Sequence, residues 1–132
     1  MIFEYTKITP SVSRPLVFVR ISFKDKFLLT KALIDSGSDY SIFPLDFAYT
    51  LSIPISSSKK SIFSGFSGEK AVLYLNKVTL TIGDASCPVN VGFTDAIGEY
   101  SYSVLGQNGF FDNFKVCFDK SGKQVTVEPK KS

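Results

Sequence analysis

Ala32-Leu33-Ile34-Asp35-Ser36-Gly37-Ser38-Asp39 is the stretch on which the reading of this chain turns. An apolar run leads into one carboxylate, followed at once by a small hydroxyl residue, a glycine and a second small hydroxyl residue. The run reads as the end of a buried strand and the glycine as a tight turn. An acid delivered from a rigid strand into a loop stands where chemistry is commonly done. By itself Asp-Ser-Gly-Ser is also an ordinary solvated turn, so its meaning depends on the rest of the chain.

Upstream, Leu16 to Lys24 has period two, with Val17, Val19, Ile21 and Phe23 on one face and Arg20, Ser22 and Lys24 on the other, a half-buried strand. Lys24-Asp25-Lys26 is a polar turn, and Phe27 to Ile34 is the return strand that ends at Asp35. Residues 1–15 show no clear period; Phe3 and Tyr5 suggest the start of an edge strand, and Pro10 and Pro15 punctuate a loop.

Downstream, Tyr40 to Phe43 reads as a short strand. Pro44 suits the first position of a helix, where its missing N–H costs nothing, and Leu45 to Leu51 is that helix, with Leu45, Ala48, Tyr49 and Leu51 near one side. A loop, Ser52 to Ser58, separates it from Ser61 to Val72, where Gly65, Phe66, Ser67 and Gly68 form the tip of a hairpin expected to move. Ala71–Leu75, Val78–Ile82 and Cys87–Phe93 are strands, with Gly83-Asp84 a turn. A polar loop, Thr94 to Ser101, precedes Ser103-Val104-Leu105-Gly106, which repeats the opening theme of an apolar strand ending in glycine. Gln107 to Asn113 reads as a short helix weakened by Gly109, and Val116–Phe118 and Val125–Val127 as strands around a turn; residues 129–132 are expected to fray. About nine short strands and two short helices make an all-β class, and 132 residues suit one domain spanning 1–132.

Composition narrows the function. The chain is 44% hydrophobic and 14% aromatic, a globular balance. A net charge of +3, spread over scattered cations, does not point to nucleic acid. No apolar run is long enough for a membrane span, the start lacks the order of a signal peptide, and no Asn-x-Ser/Thr acceptor is present. Two cysteines, Cys87 and Cys117, are too few for a disulfide scaffold and are expected reduced and at least half-buried on strands, a single bridge being the alternative. A cytoplasmic protein is expected. The absence of histidine removes Ser-His-Asp and Cys-His catalysis and histidine-ligated zinc, leaving carboxylates, Lys, Tyr or Cys for proton transfer. No metal or cofactor is expected.

These residues carry a resemblance. Leu33-Ile34-Asp35-Ser36-Gly37-Ser38 resembles the apolar–apolar–Asp–Ser/Thr–Gly–Ala/Ser signature of aspartic proteases, and Val104-Leu105-Gly106 is similar to the apolar–apolar–Gly element behind that signature in retroviral-type members. The spacing of the two suits one retropepsin lobe, and the glycine-rich hairpin lies where that family has its flap. The pattern is most like the cellular single-lobe domains of the DNA-damage-inducible type. The resemblance implies a closed acid-protease barrel with a flap hairpin and one or two short helices. It also implies an aspartic endopeptidase acting on extended peptides.

One signature per chain implies a homodimer that pairs one Asp35 from each subunit. It assigns Asp35 as catalytic, Ser36 and Gly37 as support for its loop, and Ser38, Asp39, Gly65, Phe66, Ser67 and Gly68 as substrate-binding. Leu105 and Gly106 become the structure behind the site. Where retroviral members place Arg after the glycine, this chain has Gln107, so the usual pairing with the acid at Asp39 is absent; dimer contacts are then expected from strands within Lys115 to Glu128. The rival readings are a catalytically inactive retropepsin-like dimerisation or peptide-binding module, and an unrelated small β-barrel.

Overall fold

A computed structural model describes residues 1–64, 68–97 and 102–130 of the chain. Among them are twelve strands, one α-helix and one 3-10 turn. The strands are β1 (Ile2–Glu4), β2 (Thr6–Thr9), β3 (Val12–Arg14), β4 (Leu16–Phe23), β5 (Lys26–Ile34), β6 (Ile42–Pro44), β7 (Lys59–Ser64), β8 (Lys70–Ile82), β9 (Ala85–Thr94), β10 (Ser103–Leu105), β11 (Phe114–Asp119) and β12 (Gln124–Pro129); α1 spans Leu45–Thr50 and the 3-10 turn Ile55–Ser57.

The main sheet runs β4-β5-β10-β6-β9-β8-β7, and a further pairing of β4 with β8 closes it into a ring with β7 outside. The closing contacts are Arg20↔Thr81, Ile21↔Leu80 and Ser22↔Thr79. Alternation explains the interior. Val17, Val19 and Ile21 from β4, Val78, Leu80 and Ile82 from β8, and Val89, Val91 and Phe93 from β9 all point into the core. Phe110 and Phe114 stack there with ring centroids 5.2 Å apart. A second sheet, β1-β12-β11, joins the two ends of the chain, and β2 and β3 form a separate hairpin.

Parallel pairing places the site. β5 and β10 run side by side with Leu105 opposite Ile34, so the chain leaves the sheet at Asp35 and Gly106 from neighbouring strand ends. Reaching that arrangement requires crossover connections, which the intervening α1 and the β7–β8 and β8–β9 hairpins supply.

Several expectations are corrected. Residues 1–15 form three short strands rather than one edge strand and a loop, because β1 pairs with β12 (Phe3↔Val125) at the far end of the chain. The two stretches read between Ala71 and Ile82 are one strand, β8. Pro44 is the N-cap residue, still extended at φ −59° and ψ 142°, so the helix starts at Leu45. Tyr49 is exposed while Ala48 and Leu51 are buried. Gln107 to Asn113 is a run of turns and not a helix: Gly109 takes φ +95°, which a right-handed helix cannot continue through. Of residues 129–132, expected to fray, Pro129 ends β12 and the Lys130 N–H donates to the Asn113 carbonyl at 2.8 Å, while 131 and 132 lie outside the described residues. Both cysteines are free; Cys87 is half-buried on β9, whereas Cys117 on β11 is exposed.

Candidate active site

Asp35 is half-buried at the end of β5. Its N–H donates to the Leu105 carbonyl at 3.0 Å, extending the parallel ladder by one bond. The Gly37 N–H donates to the Asp35 carboxylate at 2.9 Å, and the Ser38 N–H to the Asp35 carbonyl at 3.2 Å. The carboxylate is therefore held by its own loop. Gly37 has no left-handed φ among the described glycines that do; its role is spatial, since a Cβ there would stand 3.2 Å from the carboxylate oxygen.

The loop is clamped to the segment after β10. The N–H groups of Gln107 and Asn108 donate to the carbonyls of Ser38 and Asp39 at 2.8 and 2.9 Å. The Ser41 hydroxyl, fully buried, accepts from the Gly106 N–H at 3.1 Å and donates to the Asn108 carbonyl at 2.9 Å. Gly106 lies beneath the loop, where a Cβ would come within 2.2 Å of the Tyr40 carbonyl and 2.6 Å of the Ser38 carbonyl, so no larger residue fits without moving backbone. Gln107 sends its side-chain amide to the Ser36 carbonyl at 2.7 Å.

Asp35 opens onto a cleft of about 760 Å³. Gly37, Ser38 and Asp39 share its floor with Asp35. Ile62 and Phe63 of β7 line it, as do Ile97, Tyr102 and Val104. The structure thus brings Asp35, Gly37, Ser38 and Asp39 to one cavity, with Leu105 and Gly106 behind them. Ser36 is exposed and contributes its carbonyl to Gln107. Ser38 turns its hydroxyl to the Tyr40 carbonyl at 2.8 Å.

The flap assignment falls partly outside the described residues, which exclude Gly65, Phe66 and Ser67. On either side, β7 and β8 pair up to Ser64↔Lys70, and Gly68 takes φ +78° in open space. The sequence reading missed Ser41, Tyr102 and the Gln107 side-chain bond. Only Ser41 carried a hint, as a lone hydroxyl between two aromatic-apolar neighbours. No group of three or more His, Cys, Asp or Glu among the described residues is placed to hold a metal ion, and no described helix is long and apolar enough to cross a membrane.

The chain has the retropepsin-like single-lobe fold of aspartic proteases, all-β with one short α-helix. The solved structure of a retropepsin-like aspartic protease from Rickettsia conorii superposes with a TM-score of 0.66, at 14% identity over 97% of each chain. EIAV protease complexed with the inhibitor HBY-793 superposes with a TM-score of 0.53, at 18% identity over 76% of this chain and 88% of that one. No protein-family model matches the chain, and no curated protein does.

Proposed function

We propose that the chain is an aspartic endopeptidase that works as a homodimer on extended peptides with apolar side chains. The observation that carries this reading is Asp35, held by the Gly37 N–H at the floor of the 760 Å³ cleft. Two such carboxylates about 3 Å apart across a two-fold axis cannot both ionise and share one proton, as in aspartic proteases generally. One takes a proton from a water held between them while the other gives its proton to the scissile carbonyl oxygen. The peptide is attacked by that water, without a covalent enzyme intermediate.

Ser36 and Gly37 support the carboxylate geometry. Ser38 and Asp39 contact the substrate backbone, which pairs as an added strand. Gly65, Phe66, Ser67 and Gly68 close over it and exclude water. Leu105 and Gly106 hold the loop from behind. The subunits meet through the C-terminal hairpin: among the described residues β12 has β1 on one side and β11 on the other, so the edge that this hairpin offers a partner is the outer edge of β11. One domain spans 1–132, and the proposed setting is the cytoplasm.

The deciding experiment is Asp35→Asn, an isosteric change, assayed on a peptide library cleaved by the unaltered chain. Loss of cleavage with an unchanged thermal transition is expected. Cleavage by the variant at the same sites overturns the assignment.

A further inference from the structure

The hairpin β4–β5 presents an outward face that the proposed chemistry does not use. Phe18, Phe27 and Leu29 are 65%, 54% and 67% exposed. Register sets them among cations: Phe18 is opposite Lys31, Leu29 opposite Arg20, and Phe27 opposite Ser22. The Arg20 guanidinium lies 3.9 Å above the Phe27 ring, and Lys31 Nζ 4.9 Å from the Phe18 centroid. The outward positions of the two strands hold no carboxylate; the one acid of the hairpin, Asp25, is in its turn. A contiguous apolar patch of this kind marks a contact surface.

Among the described residues the edge beside the patch is open as well. β10 pairs with β5 only from Ala32 to Ile34. Among the described residues no strand covers Lys26 to Lys31 on the side away from β4. Unpaired strand edges are templates for another strand.

The geometry points to an extended, acidic segment of another protein that adds to this edge as a strand. One face of that segment carries apolar side chains opposite Phe27 and Leu29 and a carboxylate opposite Lys31, at alternate positions. Charge favours an acidic segment over a second copy of this chain, which carries a net charge of +3 and would bring its own Arg20 and Lys31 to the contact. The open backbone selects against a lipid surface, whose acyl region offers no donors or acceptors.

The inference is independent of cleavage, so its test uses the ¹⁵N-labelled Asp35→Asn protein, which leaves the probe intact. The probe is the peptide acetyl-Glu-Thr-Val-Thr-Phe-Thr-Glu-amide. Expected are amide shifts at Phe27 to Lys31, and binding weakened at least tenfold by Arg20→Glu with Lys31→Glu, by Phe27→Ser, or by Lys in place of Glu in the peptide. Arg20 and Phe27 are exposed, Lys31 is half-buried and donates to the Thr6 hydroxyl at 3.3 Å, and an unchanged thermal transition checks that the variants fold. Four results overturn the proposal: no shifts at millimolar peptide; shifts confined to the Asp35 cleft; binding to phosphatidylserine vesicles that the double variant abolishes; or a change in sedimentation of the double variant, which would make the face a contact between copies.

Discussion

Gln107 Nε2 donates to the Ser36 carbonyl at 2.7 Å, joining the residue after Gly106 to the residue after Asp35. Retroviral-type proteases place Arg at this point to pair with an acid. Here an uncharged amide ties the loop by its backbone instead. Gln107 is exposed, so Gln107→Ala should lower stability by no more than about 1 kcal/mol, the net worth of one hydrogen bond. Loss of a bond worth about 1 kcal/mol from the loop that holds Asp35 should lower kcat several-fold. Urea titration and peptide hydrolysis, measured on the same preparation, separate the two effects.

Gly106→Ala acts on packing rather than hydrogen bonding. The new methyl meets the Tyr40 and Ser38 carbonyls; the Ser38 carbonyl is held by the Gln107 N–H and the Tyr40 carbonyl by the Ser38 hydroxyl. Overpacking of this kind costs about 1–3 kcal/mol where side chains can give way, and more where they cannot. An unfolding free energy from urea titration lowered by at least that amount is expected, with a correspondingly lower midpoint, together with loss of activity because the loop carrying Asp35 is displaced. A midpoint equal to that of the unaltered protein would show that the strand end yields freely.

Such contacts mark the limit of what the sequence discloses. Period-two stretches such as Val17-Val19-Ile21 and Val78-Leu80-Ile82 declare which side is buried, because alternation is a local property. Asp35 and Gly106 were legible for a related reason: each ends an apolar run and each is followed by turn chemistry. Residues 1–15 were not, since β1 exists only because Gln124–Thr126 lies beside it, and strand formation follows tertiary context more than intrinsic preference. The helix expected at Gln107 to Asn113 failed on a single glycine. The Ser41 and Gln107 side chains reach backbone groups 65 to 71 residues away, so no spacing in the sequence announces them.

If the catalytic unit needs two Asp35 residues, activity must depend on assembly. Specific activity should fall on dilution below the dimer dissociation constant and recover on reconcentration, in step with the dimer fraction measured by sedimentation. A specific activity independent of concentration, with monomer alone in solution, contradicts the dimeric mechanism.

The two cysteines report on the same assembly. Cys117 lies exposed on β11, the edge strand proposed for the interface, and Cys87 is half-buried on β9. Burial pushes the Cys87 thiol above the ordinary value of 9.0, favouring its protonated form in the folded protein. The contribution of that thiol to stability is therefore present below the ordinary thiol range and declines as pH rises through it. The thiolate is the reactive form, so iodoacetamide near pH 8.5 should label Cys117 first and Cys87 slowly, the gap closing in urea. Antiparallel pairing of two β11 edges about a two-fold axis at Cys117 brings the two Cys117 Cα atoms to about 4.5–5.5 Å, within disulfide reach. Mild oxidation should then yield a covalent dimer that Cys117→Ser abolishes and Cys87→Ser does not; a cross-link that survives Cys117→Ser would place the subunit contact on another face.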